Sequence, residues 1–94
     1  MHDLPDDTSW MTPYRRRIGD RLRAERHHQN LRQQHVYLQA NVDRKTLQAI
    51  EGGRGNPTLE VLLRLTYVLG MPIEDLFTEQ PPSPEGRGRP DSEA

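Results

Sequence analysis

The stretch Leu31 to Pro57, LRQQHVYLQANVDRKTLQAIEGGRGNP, reads as two short amphipathic helices joined by a tight turn. The first, from Gln33 to Ala40, has Val36, Tyr37 and Ala40 to bury, and Asn41 with Val42 makes the turn. Asp43 is a good N-cap for a second helix from Arg44 to Gly52, which buries Leu47 and Ile50 three residues apart and is ended by Gly53. Its outer face carries Arg44, Lys45, Thr46 and Gln48. A short helix held by its neighbour in this way is a rigid mount for polar side chains, and the rest of the chain has to supply the support.

Elsewhere apolar residues recur at three and four rather than alternating, so the expectation is an all-α fold of five helical segments with no strand. Thr12 followed by Pro13 resembles an N-cap with proline in the first turn, opening a helix that turns Ile18 and Leu22 inward and ends near Asn30. Asn56, Pro57 and Thr58 form a turn and a second start signal, leading into Leu59, Leu62, Leu63, Leu65 and Leu69, the most apolar helix of the chain. Gly70 stops it, and Pro72 begins a last short helix with Ile73, Leu76 and Phe77 on one face. Beyond it, TEQPPSPEGRGRPDSEA has almost nothing to bury and is expected to be a disordered tail. The organisation expected is a flexible acidic segment 1–12, one helical domain 13–78 and a tail 79–94.

A core of about sixty residues lies near the lower limit for independent stability, so a partner subunit is expected to help. There is no cysteine, hence no disulfide and no thiolate metal site, and a cytoplasmic location is expected. MHDLPDDTSW is acidic and broken by proline, unlike a secretory signal, and no apolar run approaches the roughly 18 residues of a membrane-spanning helix. The net charge of -1 hides an asymmetry: residues 15 to 54 hold ten basic side chains against four acidic ones, while the segments on either side are acidic. One half of the domain is therefore electropositive, as a phosphate-facing surface requires.

Taken in order, IGDRLRAER, then Leu31 with Gln33, Ala40 and Val42, then TLQAIEGG, NPTLEVLLRL and LGMPIEDLF, make the chain resemble the Xre/Cro-type helix-turn-helix family of lambda-repressor-like DNA-binding domains. The resemblance runs from about Ile18 to Phe77 and implies a five-helix fold with the helix 44–52 in a DNA major groove. The family's usual glycines after the first helix and between the second and third are here Asn30 and Asn41, and asparagine is the non-glycine residue that best tolerates a left-handed backbone. Tyr37 stands where the family commonly has alanine, so its phenol must rotate outward or widen the packing; Leu38 replaces a usual polar residue, and Arg32 the usual serine or threonine cap.

The resemblance implies base contacts from Arg44, Lys45, Thr46, Gln48 and Ala49, with Arg44 and Lys45 suited to guanine O6 and N7 and Ala49 to a thymine methyl. The plainer reading of the same residues is a solvated helix face. Gln33 matches a glutamine that usually bonds the DNA backbone, flanked by Arg32, Arg54 and Asn56; Asn56 also suits the turn before Pro57. Arg17, within the arginines 15 to 17, belongs either to a phosphate-touching arm or to a solvated first turn. Arg26 and Glu51 match a pair linking the first and third helices and are expected to form a structural ion pair. Ile73, Leu76 and Phe77 either complete a monomeric core or contribute to a two-fold interface. His27, His28 and His35 lack ligand spacing, so no metal is expected, and with no sizeable second domain neither a cofactor nor a small-molecule pocket is expected.

The expected function is sequence-specific binding of double-stranded DNA as a homodimer on a pseudo-palindromic operator, in transcription regulation. An antitoxin or a restriction-modification controller has the same core. A helix-turn-helix module that binds a regulatory protein instead of DNA, using Tyr37 and Leu38, is the rival from another class. No nucleophile-base constellation or phosphate loop suggests an enzyme.

Overall fold

Two asparagines with left-handed backbones divide the first half of the chain: Asn30 at φ 59° and Asn41 at φ 54°. In the computed structural model, which describes residues 1–78, they separate helix α1 (Thr12–His28) from α2 (Gln33–Ala40), and α2 from α3 (Arg44–Glu51). Helix α4 spans Leu59–Leu69 and ends at Gly70, whose φ of 70° is again left-handed. The expected tail, residues 79–94, lies outside the described residues.

The local start signals act as the sequence suggests at two helices. The Asp43 carboxylate accepts from the Lys45 backbone N–H at 3.0 Å, and the Thr58 hydroxyl accepts from that of Val61 at 3.1 Å. Each satisfies an orphan donor of a first helical turn. Thr12 does not cap α1. A 3-10 turn, Ser9–Met11, runs straight into the helix, and Thr12 has helical dihedrals with its N–H bonded to the Ser9 carbonyl.

The count of five helices is corrected too. The segment after Pro72 is a 3-10 turn, Ile73–Phe77, pinned between extended residues at Pro72 and Thr78. Five residues leave too little length for an established i→i−4 ladder, and short 3-10 pieces are the common outcome. Among the described residues there is no strand, and no helix long and apolar enough to cross a membrane.

The core joins Leu22 of α1, Val36 and Ala40 of α2, Leu47 and Ile50 of α3, and Leu62, Leu65 and Leu69 of α4 with Val42, Met71 and Leu76. Helix α1 packs on α3 and on the closing 3-10 turn, and α2 packs on α3 and α4. Tyr37 is half-buried against this core. Its ring is accommodated at the edge of the α2 packing, while Leu38 points to solvent.

Gly19 sits where α1 packs against the end of α3. A Cβ there would lie 2.2 Å from the Ile50 carbonyl oxygen, so no other residue lets the helices meet at this distance without moving backbone. Polar ties join α1 to the C-terminal part of the domain. The Arg21 Nε donates to the Asp75 carbonyl at 2.8 Å, and Gln29 Nε2 donates both to Glu25 Oε2 at 2.8 Å and to the Leu69 carbonyl at 2.6 Å.

Candidate nucleic-acid interface

Helix α3 is divided sharply between its two sides. Leu47, Ile50 and Glu51 are buried, Arg44 and Lys45 are exposed, and Thr46, Gln48 and Ala49 lie between. Lys45, Thr46 and Ala49 line a groove shared with Gly55, Asn56 and Pro57 of the loop that follows. Gly55, at φ 81°, sits so near α3 that an added Cβ would lie 3.3 Å from the Ala49 methyl. The loop is therefore a wall of the groove, and it brings Asn56 beside three of the five residues expected to face bases. Arg44 and Gln48 lie outside this lining.

Glu51, the last residue of α3, is the point by which that helix is held. Its carboxylate takes two bonds from Arg26, Nε to Oε2 and Nη2 to Oε1, each at 2.8 Å. Gln33 Nε2 donates to the same Oε1 at 3.1 Å, and Arg23 Nη1 caps the Glu51 backbone carbonyl at 2.8 Å. Arg26 also donates through Nη1 to the Leu31 carbonyl, which fixes the entry to α2. A bidentate arginine with every partner placed sets both position and orientation. Side chains of α1 and α2 thus converge on one carboxylate of α3 and tie its C-terminal end to both helices.

Gln33 has a second N–H on the same amide nitrogen, so its bond to Glu51 orients it without exhausting it. Arg32 and Gln33 lie at the start of α2 on one open surface with Arg26, His27, Asn30 and Leu31. Arg32 has no capping oxygen. The compensation comes from His35, whose Nδ1 accepts from the Arg32 backbone N–H at 3.1 Å, filling the role that Glu or Gln plays in a capping box.

The other expected backbone contacts are dispersed. Arg54 is exposed and its guanidinium lies over Gly52, where an added Cβ would come within 2.9 Å of Nη2. Arg17 instead stacks over the Tyr14 ring, 5.5 Å from its centroid, and borders a cavity of about 150 Å³ with Ile18, Leu76 and Phe77. It is Arg16 that meets the turn after α3, its side chain packed against Gly53. Three adjacent arginines on a helix diverge by about 100° each, and the tertiary contact selects among them.

Of the apolar residues considered for a two-fold interface, Leu76 is fully buried in the chain's own core, Ile73 is half-buried and Phe77 is exposed. Sequence reasoning passed over Gly19, Arg23 and His35. A glycine inside a helical pattern is the one signal that pointed to the first; nothing local marks the other two. Among the described residues no three His, Cys, Asp or Glu side chains gather in a way that could hold a metal ion.

Residues 17–78 match the helix-turn-helix domain family. The chain is 33% identical over 60 residues to an uncharacterized HTH-type transcriptional regulator of Methanocaldococcus jannaschii, a match spanning 64% of this chain and 91% of that protein. Its fold is similar to the crystal structure of the restriction-modification controller protein C.AhdI from Aeromonas hydrophila, with a TM-score of 0.64 and 28% identity over 67% of this chain and 96% of the other.

Proposed function

This chain belongs to the Xre-like helix-turn-helix family, and we propose that it is a DNA-binding transcriptional regulator acting as a homodimer on a pseudo-palindromic operator. The observation that carries the reading is the anchoring of α3 through Glu51. Arg26, Gln33 and Arg23 hold its buried end, and Arg44 and Lys45 stand exposed at the other. A helix so fixed presents its side chains to a major groove without losing much freedom on binding.

In this reading Arg44 and Lys45 approach guanine O6 and N7, and Thr46, Gln48 and Ala49 complete the base-facing set. Arg32, Gln33, Arg54 and Asn56 bond phosphates and set the register, while Arg17, engaged by Tyr14, is the weakest of the expected backbone contacts. Half-sites lie about one helical turn apart, roughly 10–10.5 bp, or a multiple of it. The protein acts in the cytoplasm by binding rather than turnover, and its regulation comes through dimerisation, abundance or a protein partner. The likeness to C.AhdI favours a restriction-modification controller as the specific role, and neighbouring restriction and methylation genes test that.

Selection from random duplexes at low salt is the decisive experiment. The expected product is a two-fold motif. Arg44→Ala changes base preference at particular positions, whereas Arg32→Ala weakens all sequences alike. Recovery of no motif overturns the operator reading.

A further inference from the structure

Helix α4 is apolar on two sides, although only one of them meets the core. Leu62, Leu65 and Leu69 are buried, yet Leu59, Leu63 and Tyr67 recur at four-residue spacing on an adjoining side with 65%, 45% and 87% of their surface exposed. A helix that is apolar beyond its core-facing stripe is built for burial on both sides. The other exposed apolar residues are differently placed. Trp10 and Tyr14 pack edge to face on each other, and Phe77 closes over a small cavity of its own chain. Leu63 and Tyr67 also border a shallow depression toward Gln39 and Ala40 of α2, with Glu60, Arg64 and Val68 in its lining.

We propose that this stripe seats a second copy of the chain as an antiparallel two-fold pair of α4 helices. The inference rests on the homodimer reading above and assigns the surface that reading needs. Charge selects the occupant and the orientation. Glu60 and Arg64 form a row along one edge of the stripe, paired with each other at 2.6 Å. A two-fold axis perpendicular to the helices keeps that edge on the same side and reverses its direction. Glu60 of each copy then approaches Arg64 of the other, whereas a foreign apolar helix has no need of this pattern. The same operation lays Leu59 opposite the partner's Tyr67 and brings Leu63, the middle of the stripe, against its own symmetry mate. A self-complementary patch of this kind is what a closed two-fold interface requires.

The stripe lies at the DNA end of the domain as well. Helix α4 starts three residues after Asn56, which lines the groove beside Lys45, Thr46 and Ala49. A copy seated there couples the two recognition helices through one short loop on each side.

Because the chain has no cysteine, a single introduced one forms disulfides only between copies. Leu63→Cys in the full chain, oxidised at micromolar concentration, is expected to run as a linked dimer on a non-reducing gel, while Leu38→Cys and Phe77→Cys remain monomeric. Tyr67→Glu is expected to halve the light-scattering mass, keep the helical circular dichroism, and weaken binding to a full two-fold duplex at least tenfold with little change on a half-site. Linkage through Phe77→Cys with none through Leu63→Cys overturns the assignment, as does a monomeric mass for the unaltered chain at 100 micromolar. A selected DNA motif together with that monomeric mass defeats this interface and leaves DNA binding standing. Linkage at position 63 with no selected motif supports the interface and defeats the operator reading.

Discussion

Arg26 lies side-on to Glu51 across the α1–α3 contact, both nitrogen-to-oxygen distances being 2.8 Å and the two side chains only 9% and 4% exposed. Two charges removed from water to this degree are stable only together. Arg26→Met leaves a buried carboxylate with Gln33 as its remaining side-chain donor, and the expected loss is about 3–5 kcal/mol in chemical denaturation. For a domain of this size that is most of the stability. Arg26→Met with Glu51→Leu should lose less than the two single changes combined, because the second removes the stranded charge. A loss below about 1 kcal/mol for the single variant would show the pair to be screened by solvent like a surface bridge.

Gly19→Ala places a methyl against the Ile50 carbonyl, and the obstacle is backbone rather than a side chain that can swing away. Helix α1 must retreat from α3, at an expected cost of about 1–3 kcal/mol, the range of overpacking. Because Arg23 and Arg26 reach Glu51 from this same helix, DNA affinity should fall even at temperatures where the variant is fully folded. Thermal melts and duplex titration at low temperature separate the two effects. An alanine variant with unchanged melting temperature would refute the close contact.

What was legible in the sequence is what depends on neighbours a few residues away. Asp43 and Thr58 act as caps because a cap needs only the N–H two or three residues on, and α3 and α4 accordingly begin where their residues suggest. The exposure of Arg44 and Lys45 on α3 was readable for the same reason. The pair Arg26 and Glu51 came from family resemblance, not from spacing. Gly19, Arg23 and the choice of Arg16 over Arg17 depend on partners about 28 to 37 residues away, which no local pattern contains. Thr12 misled because the Ser9–Met11 turn supplies a preceding helical carbonyl, so the cap position moves upstream. Tyr67 was invisible as a surface feature, since an apolar run does not say which of its sides the core will take.

Asn41 joins α2 to α3 at φ 54°, ψ 50°, a conformation that costs most residues about 1–2 kcal/mol. Asn41→Gly should be close to neutral in denaturation, and Asn41→Val should lose at least that amount, since a β-branched side chain is the least tolerant there. Asn30, at φ 59°, is expected to behave in parallel. Equal stability of the glycine and valine variants would mean that the turn relaxes to a different geometry.

At the start of α2 the effect of one residue on the helix end can be separated from its proposed contact with the DNA backbone. Arg32 lends α2 no side-chain oxygen, and His35 Nδ1 accepts from its backbone N–H instead. Arg32→Ser restores a capping oxygen and should stabilise the domain by roughly 0.5–1 kcal/mol, within the usual worth of an N-cap. The same change removes a guanidinium from the surface proposed to face phosphate, so affinity should drop for every duplex alike and its salt dependence should flatten by about one counterion. His35→Ala tests the cap alone, with a small stability loss and unchanged salt dependence. A base-specific change in the sequences bound by Arg32→Ser would instead place Arg32 against bases, and the division of labour between α2 and α3 would have to be redrawn.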